Sequence, residues 1–300
     1  MLCRVSAEES VLSARSARVR DARQLTVAKF RRLRGLFLAE GPQAVREALA
    51  TGMVVEVFVD EDWVARRDEL IAASDASGVA LHVVDAAGFV GLASAQTPQG
   101  VVAVCRWEHR ALADVTAIPG PGQVVLAHEM SDPGNAGALI RVADAAGALG
   151  VALSARSVDP TNPKCVRATA GSMFHLPVVE TGETLEAVAA LRDAGFRTLA
   201  ADITSESTDL FAAEHQGLLA GRIAWVLGNE AHGLPDEIVA AVDHVIRIPI
   251  LGRAESLNLA TAAAVCLYAA ARVQHPDHPG RSASESAPGA ALGAALGPGS

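Results

Sequence analysis

The sequence predicts an α/β protein: a mostly parallel sheet with helices on both faces, preceded by a smaller α/β unit. Three observations carry that expectation. After residue 122, short aliphatic runs alternate with helical patterns, the order that builds parallel sheets from strand–helix–strand units. A shorter alternating stretch, 36–104, comes before it, and Pro119-Gly120-Pro121-Gly122 sets four consecutive breakers between the two. Half of the 300 residues are hydrophobic but only 4% are aromatic, so the core is expected to be aliphatic helix-on-sheet packing.

Each element has its own signal. Leu36–Ala39 is apolar and is punctuated by Glu40-Gly41-Pro42, which starts a helix through Val45, Ala48 and Leu49. Val54–Val59, Ala80–Val84 and Val101–Val104 read as strands, with a helix over 63–73. Beyond the breakers, strands are expected at 124–127, 150–153, 198–201, 223–227 and 245–248. Helices are expected at 138–146, 163–173, 185–194, 235–242 and from about Ser256 to Val273. The resulting division is a basic arm with an α/β domain over 1–110, a linker over 111–122, a second domain over 123–273 and a tail over 274–300. The tail is rich in Gly, Ala, Pro and Ser and is expected to be disordered.

Four cysteines lie far apart with no CxxC spacing, which argues against a zinc ribbon or a disulfide framework and for a reducing compartment. The first residues lack an apolar leader and no window approaches a membrane span, so a soluble cytoplasmic protein is expected. Net charge is −9, yet residues 1–34 hold nine Lys/Arg against three acids, while 111–300 hold 11 against 20. A basic arm before an acidic body suits a polyanionic partner; a solvated basic helix face explains it equally well.

Three strand-to-helix junctions concentrate glycines and polar side chains where α/β proteins bind ligands. The first is Asp132-Pro133-Gly134-Asn135-Ala136-Gly137, followed by Arg141; an Asn cap and a surface Arg account for it alone. The second, Leu227-Gly228-Asn229-Glu230-Ala231-His232-Gly233-Leu234-Pro235, sets a carboxylate at a strand end, where burial would demand a partner such as Arg141. His232 there reads as a solvent-facing or capping side chain rather than a general base. In the third, Ile248-Pro249-Ile250-Leu251-Gly252-Arg253-Ala254-Glu255-Ser256-Leu257-Asn258, Ser256 is placed at the N-cap, leaving Asn258, a poor helix former, in the first turn. No strand leads into GxGxxG and no GxxxxGK[ST] occurs, which disfavours a dinucleotide or P-loop enzyme.

Together, Asn135-x-Gly137-x-x-x-Arg141, Leu227-Gly228-Asn229-Glu230-x-x-Gly233 and Ile248-Pro249…Glu255-Ser256-Leu257-Asn258 resemble the three signature motifs of the SpoU (TrmH) family of RNA ribose 2′-O-methyltransferases, in the SPOUT superfamily. Thr161-Asn162-Pro163-Lys164…Arg167-Ala168…Ala170-Gly171-Ser172 is similar to a further family stretch, and Leu38-Ala39-Glu40-Gly41-Pro42 to the start of its substrate-binding domain. No motif residue is lost, so an active enzyme is expected.

The resemblance implies a C-terminal trefoil knot, with loops near 202–206, 227–234 and 248–258, that binds S-adenosylmethionine. It assigns Gly228, Ile248 and Leu257 to the cofactor, with Leu227, Ile250 and Leu251 beside them. The same resemblance makes Arg141 the residue acting on the ribose 2′-hydroxyl. A guanidinium is a poor proton acceptor, so that role is better stated as positioning and electrostatics. Glu230 would hold Arg141, while Asn135, Ser256 and Asn258 would orient the nucleotide and support the loops. The resemblance further implies a homodimer, RNA as partner, and neither metal nor membrane. Ribosomal RNA is favoured over transfer RNA because of the separate N-terminal module; a knotted RNA-binding protein without catalysis is the alternative of a different class.

Overall fold

The computed structural model describes residues 11–62, 67–95, 97–204, 206–229 and 232–275. Residues 1–10, the expected tail from 276 and the start of the 63–73 helix lie outside the described residues.

The basic N-terminal segment folds as two helices, α1 (Ala17–Gln24) and α2 (Ala28–Arg34). They lead into a small unit of β1 (Leu36–Glu40), α3 (Pro42–Ala50), β2 (Val54–Asp60), α4 (Arg67–Ala76), β3 (Ala80–Val84), α5 (Ala86–Val90) and β4 (Val101–Arg106). Its sheet runs β1-β4-β2-β3, with β4 antiparallel to both neighbours and β2 parallel to β3. The five-residue α5 is too short to show a period in sequence; an Asp85 carboxylate accepting from the Gly88 N–H at 2.7 Å starts it. Val19, Ala22 and Leu25 pack on Phe58, Val102 and Val104, so α1 is a docked element and not a free arm.

The second unit opens with α6 (Leu112–Thr116), inside the stretch expected to be a linker. Val115 is fully buried under the second sheet, and the Arg222 guanidinium donates to the carbonyls of Thr116, Ile118 and Gly120. The breakers therefore mark a pinned turn, not a loose tether. Then follow β5 (Gly122–Ala127), α7 (Pro133–Ala145), β6 (Gly150–Leu153), α8 (Pro163–Thr169), β7 (Val178–Glu180), α9 (Thr184–Asp193), β8 (Arg197–Ala201), β9 (Thr208–Asp209), α10 (Leu210–His215), β10 (Arg222–Leu227), α11 (Asp236–Ala241), β11 (His244–Arg247) and α12 (Leu259–Gln274).

All registered pairs of the seven-stranded sheet, β7-β6-β5-β10-β8-β11-β9, are parallel. Its centre is a run such as Gly122–Ala127, buried at every position, as a strand covered on both faces requires. One face carries α7 and α12, and the other α9 and α11. Among the described residues no helix is long and apolar enough to cross a membrane.

The two units meet through charged and aromatic contacts. Arg31, only 4% exposed, pairs with Asp159 at 2.6 Å and donates to Thr161 and to the carbonyls of Leu25 and Thr26. Removing one partner of such a pair would strand the other charge in the interior. Arg167 reaches Glu40 at 3.3 Å and Ser94, and Phe37 stacks on Phe174 with centroids 6.1 Å apart.

His175 lies between two carboxylates, Nδ1 at 2.8 Å from Asp144 and Nε2 at 3.1 Å from Glu47 of α3. Desolvation opposes its charge, but hydrogen bonds to Asp144 and Glu47 outweigh it and raise the imidazole pKa. A raised folded value gives stability that is complete below the ordinary value of about 6.5 and lost as pH rises through the folded one. The ring is 32% exposed, so the contribution is about 1 kcal/mol or less. Thermal melts of His175→Gln should therefore fall below wild type at pH 6 and converge with it at pH 9; an equal deficit at both would contradict the pairing.

Candidate active site

Three loops at the carboxyl edge of the large sheet enclose a cavity of about 490 Å³. The loop after β8 supplies Ala201, Asp202 and Ile203, the turn after β10 supplies Gly228, Asn229 and Gly233, and the segment after β11 supplies Ile248, Ile250, Ser256, Leu257 and Asn258. Asn135 of α7 and Leu259 and Ala262 of α12 close the far wall.

The turn after β10 is a closed backbone loop. The N–H groups of Asn229 and Gly233 each donate to the other's carbonyl at 3.2 Å, and the Asn229 side chain accepts from the His232 N–H at 2.7 Å. Gly233 has φ +68°, and a Cβ on Gly228 would lie 2.3 Å from the Gly233 carbonyl carbon. Both glycines are thus dictated by the turn itself. His232 contributes a main-chain donor to this turn, and its side chain is exposed.

The first and third junctions meet through one amide. Asn258 Oδ1 accepts from the N–H groups of Ala260 at 3.0 Å and Thr261 at 3.4 Å, and its Nδ2 donates to Asn135 Oδ1 at 3.2 Å. Asn258, not Ser256, is therefore the N-cap of α12. Ser256 stays in the loop and lines the cavity. The start of α7 also differs from expectation. Asp132 caps it by accepting from the Asn135 N–H at 2.8 Å, and Pro133 sits at N1, where its missing N–H costs nothing. That hydrogen bond and then Lys164, at 3.1 Å, hold the Asp132 carboxyl below the usual carboxylate range.

Gly137 serves packing rather than a turn: a Cβ there would meet the Cys165 carbonyl oxygen at 2.4 Å and Ala168 Cβ at 2.5 Å, where α7 crosses α8. Gly134 and Gly137, turn-like in the sequence, both lie within α7, and the close crossing accounts for Gly137.

Of the expected site residues, Asn135, Gly228, Ile248, Ile250, Ser256, Leu257 and Asn258 line one cavity. Leu227 ends β10 and is buried beneath it, whereas Leu251 is 91% exposed and lies outside the lining. Arg141 is exposed on α7 and does not line this cavity either. Six residues beyond Asn135, it sits about 9 Å along the helix and about 120° around it. Glu230 lies outside the described residues. Asp202, Asn229 and Leu259 were not anticipated as individual site residues; a polar residue just after a buried parallel strand was the available signal for Asp202. Among the described residues, no group of three or more His, Cys, Asp or Glu could hold a metal ion.

Residues 122–268 match the model of the SpoU rRNA Methylase family, and residues 16–103 match that of the MRM3-like substrate binding domain. The chain is 32% identical over 263 residues to the 23S rRNA (guanosine(2553)-2′-O)-methyltransferase RlmP of Bacillus subtilis, covering 87% of this chain and 98% of that protein. It is similar to the crystal structure of an AdoMet-bound rRNA methyltransferase from Sinorhizobium meliloti, with TM-score 0.75, 30% identity, and 87% and 97% of the two chains covered. It is also similar to the SpoU methyltransferase AviRb from Streptomyces viridochromogenes in complex with AdoMet, with TM-score 0.74, 28% identity, and 86% and 98% covered.

Proposed function

Because the chain belongs to the SpoU family of rRNA methylases, we propose that it transfers a methyl group from S-adenosylmethionine to a ribose 2′-hydroxyl of ribosomal RNA in the cytoplasm. The observation that carries this reading is the convergence of Asn135, the 228–233 turn and the 248–258 segment on one cavity.

The cavity fits the cofactor. Its volume of about 490 Å³ suits a small-molecule site. Ile246, Ile248, Ile250 and Leu257 offer apolar wall to an adenine, and the Gly228–Gly233 turn brings main chain close where no side chain fits. S-adenosylmethionine supplies an electrophilic sulfonium methyl when bound. The loops after β8, β10 and β11 are those of the expected trefoil knot, and their meeting at one wall supports that topology.

The chain's own task is to bring the ribose hydroxyl to that methyl and stabilise its developing charge. Asn135 and Asn258 present a paired amide edge at the cavity, suited to orienting a nucleotide. Ser256 lines the same wall as a second polar contact. Arg141 is assigned to the 2′-hydroxyl, with Glu230 holding the guanidinium on the strength of its motif position. Since Arg141 stands outside its own cavity, the assignment needs a homodimer in which it serves the partner's cavity. The assignment of roles is that residues up to 110 grip RNA and 123–273 perform the chemistry, with the 111–122 stretch joining them while packed on the second sheet through Val115.

The exposed cations of the first two helices form the expected RNA grip, Arg31 excepted because it is committed to Asp159. Changing Arg20, Lys29 and Arg32 together to Gln should flatten the salt dependence of RNA binding by about 0.7 in log–log slope for each phosphate no longer neutralised. Titrations between 50 and 200 mM salt check this, and an unchanged slope would place the grip elsewhere. The function itself is tested by mapping 2′-O-methylation in ribosomal RNA from cells with and without the protein. A methylation present only with the protein is expected; identical maps would refute it.

A further inference from the structure

A second cavity, of about 330 Å³, opens at the seam between the two units, lined by Trp107, His109, Arg110, Ala111, Val178 and Glu180. No motif touches it. Trp107 is half-buried, its ring perpendicular to those of Phe37 at 6.0 Å and His109 at 6.4 Å. Glu180 is the last residue of β7, which puts it on the same carboxyl edge of the sheet as the active-site turn. Three strand spacings separate β7 from β10, roughly 14 Å.

Cations stand near both cavities: Arg32 acts on Glu180, and Lys164 lies beside the start of α7, which carries Asn135. Lys164, 57% exposed, pairs with Asp132 at the start of α7, and Arg32 and Lys29 are exposed on α2, which Arg31 anchors to Asp159. The charges of Asp159, Arg32 and His109 all act on the Glu180 carboxyl, and desolvation followed by Asp159 raises its pKa. Arg110 is engaged by Glu108 at 2.9 Å on the outer lip.

We propose that this seam cavity binds a nucleobase of the RNA strand a few nucleotides from the methylated ribose, stacked on Trp107 with its N–H edge toward Glu180. The inference rests on the reading of the chain as an RNA ribose methyltransferase. An aromatic ring with cations nearby is the combination that holds single-stranded RNA. A carboxylate at the edge accepts only from bases carrying N–H donors there, and guanine offers two side by side, whereas uracil offers one. The cavity would thus set the sequence context of methylation from outside the active site.

The test measures anisotropy of the full-length protein with fluorescein-labelled uridine octamers, with and without one central guanosine. In parallel, calorimetry measures S-adenosylmethionine binding. Trp107→Ala should weaken binding of the guanosine-containing octamer about tenfold. Glu180→Gln should erase the preference for guanosine, and both variants should bind S-adenosylmethionine like wild type. Glu180 and His109 are exposed, so Glu180→Gln and His109→Ala keep the test valid if removing the Trp107 ring from Phe37 unfolds the first variant. RNA affinities and guanosine preference within twofold of wild type, with S-adenosylmethionine binding intact, overturn the proposal. A wild-type protein that binds no S-adenosylmethionine overturns the enzyme reading beneath it.

Discussion

Arg141→Ala should reduce methyl transfer by at least about a hundredfold, the scale of losing a group that positions a nucleophile or stabilises its developing charge. S-adenosylmethionine affinity should stay close to wild type, because Arg141 is absent from the cavity lining. Its exposure on α7 also means that little packing is lost, so melting should hardly change. Single-turnover assays on unmodified ribosomal RNA, with calorimetry for the cofactor, separate these effects. Near-normal turnover would remove Arg141 from the reaction. Mixing Arg141→Ala with a cofactor-site variant adds a sharper check: partial recovery of activity in the mixed dimers is expected if each arginine serves the partner's cavity.

The cofactor-site variant for that experiment is Gly228→Ala, which should abolish binding of S-adenosylmethionine. The added methyl would lie 2.3 Å from the Gly233 carbonyl carbon and 2.7 Å from its Cα, contacts with backbone that cannot rotate away. The loop must open, and the reciprocal Asn229–Gly233 hydrogen bonds go with it. Overpacking of this kind costs about 1–3 kcal/mol, and here it falls on the wall assigned to the cofactor. Cofactor titration is the measurement. A Kd within tenfold of wild type would show that the turn is not the binding surface. Gly252, where a Cβ meets nothing within 4 Å, is the matched control, and Gly252→Ala should bind normally.

Much of the fold was legible because its strands are aliphatic runs and its helices have caps. The 150–153 and 80–84 strands lie where the sequence placed them. The omissions are short pieces: α5, α6, β7, β9 and α10 are each at most six residues, and α1 and α2, of eight and seven, lie in the basic arm, so none spans enough turns or alternations for a clear 3.6 or 2 period. The start of α7 was misplaced because Pro133 and Gly134 look like breakers. Asp132 and the N1 position of Pro133 turn them into a helix start.

Within the site, the three junctions that meet at the cavity were legible in the chain alone, because glycine at a tight turn and asparagine beside a helix start are local requirements. How those residues divide follows from tertiary contacts. Folding of the 248–258 segment beside the turn after β10 gathers Ser256, Leu257 and Asn258 around one cavity. Helical rotation carries Arg141 away from Asn135, its neighbour in the motif. Arg31, one of several similar cations in a basic run, became a buried link only because Asp159, 128 positions away, folds next to it. Contacts between residues so distant leave no periodic trace in the chain, since they depend on which surfaces meet once local structure has formed.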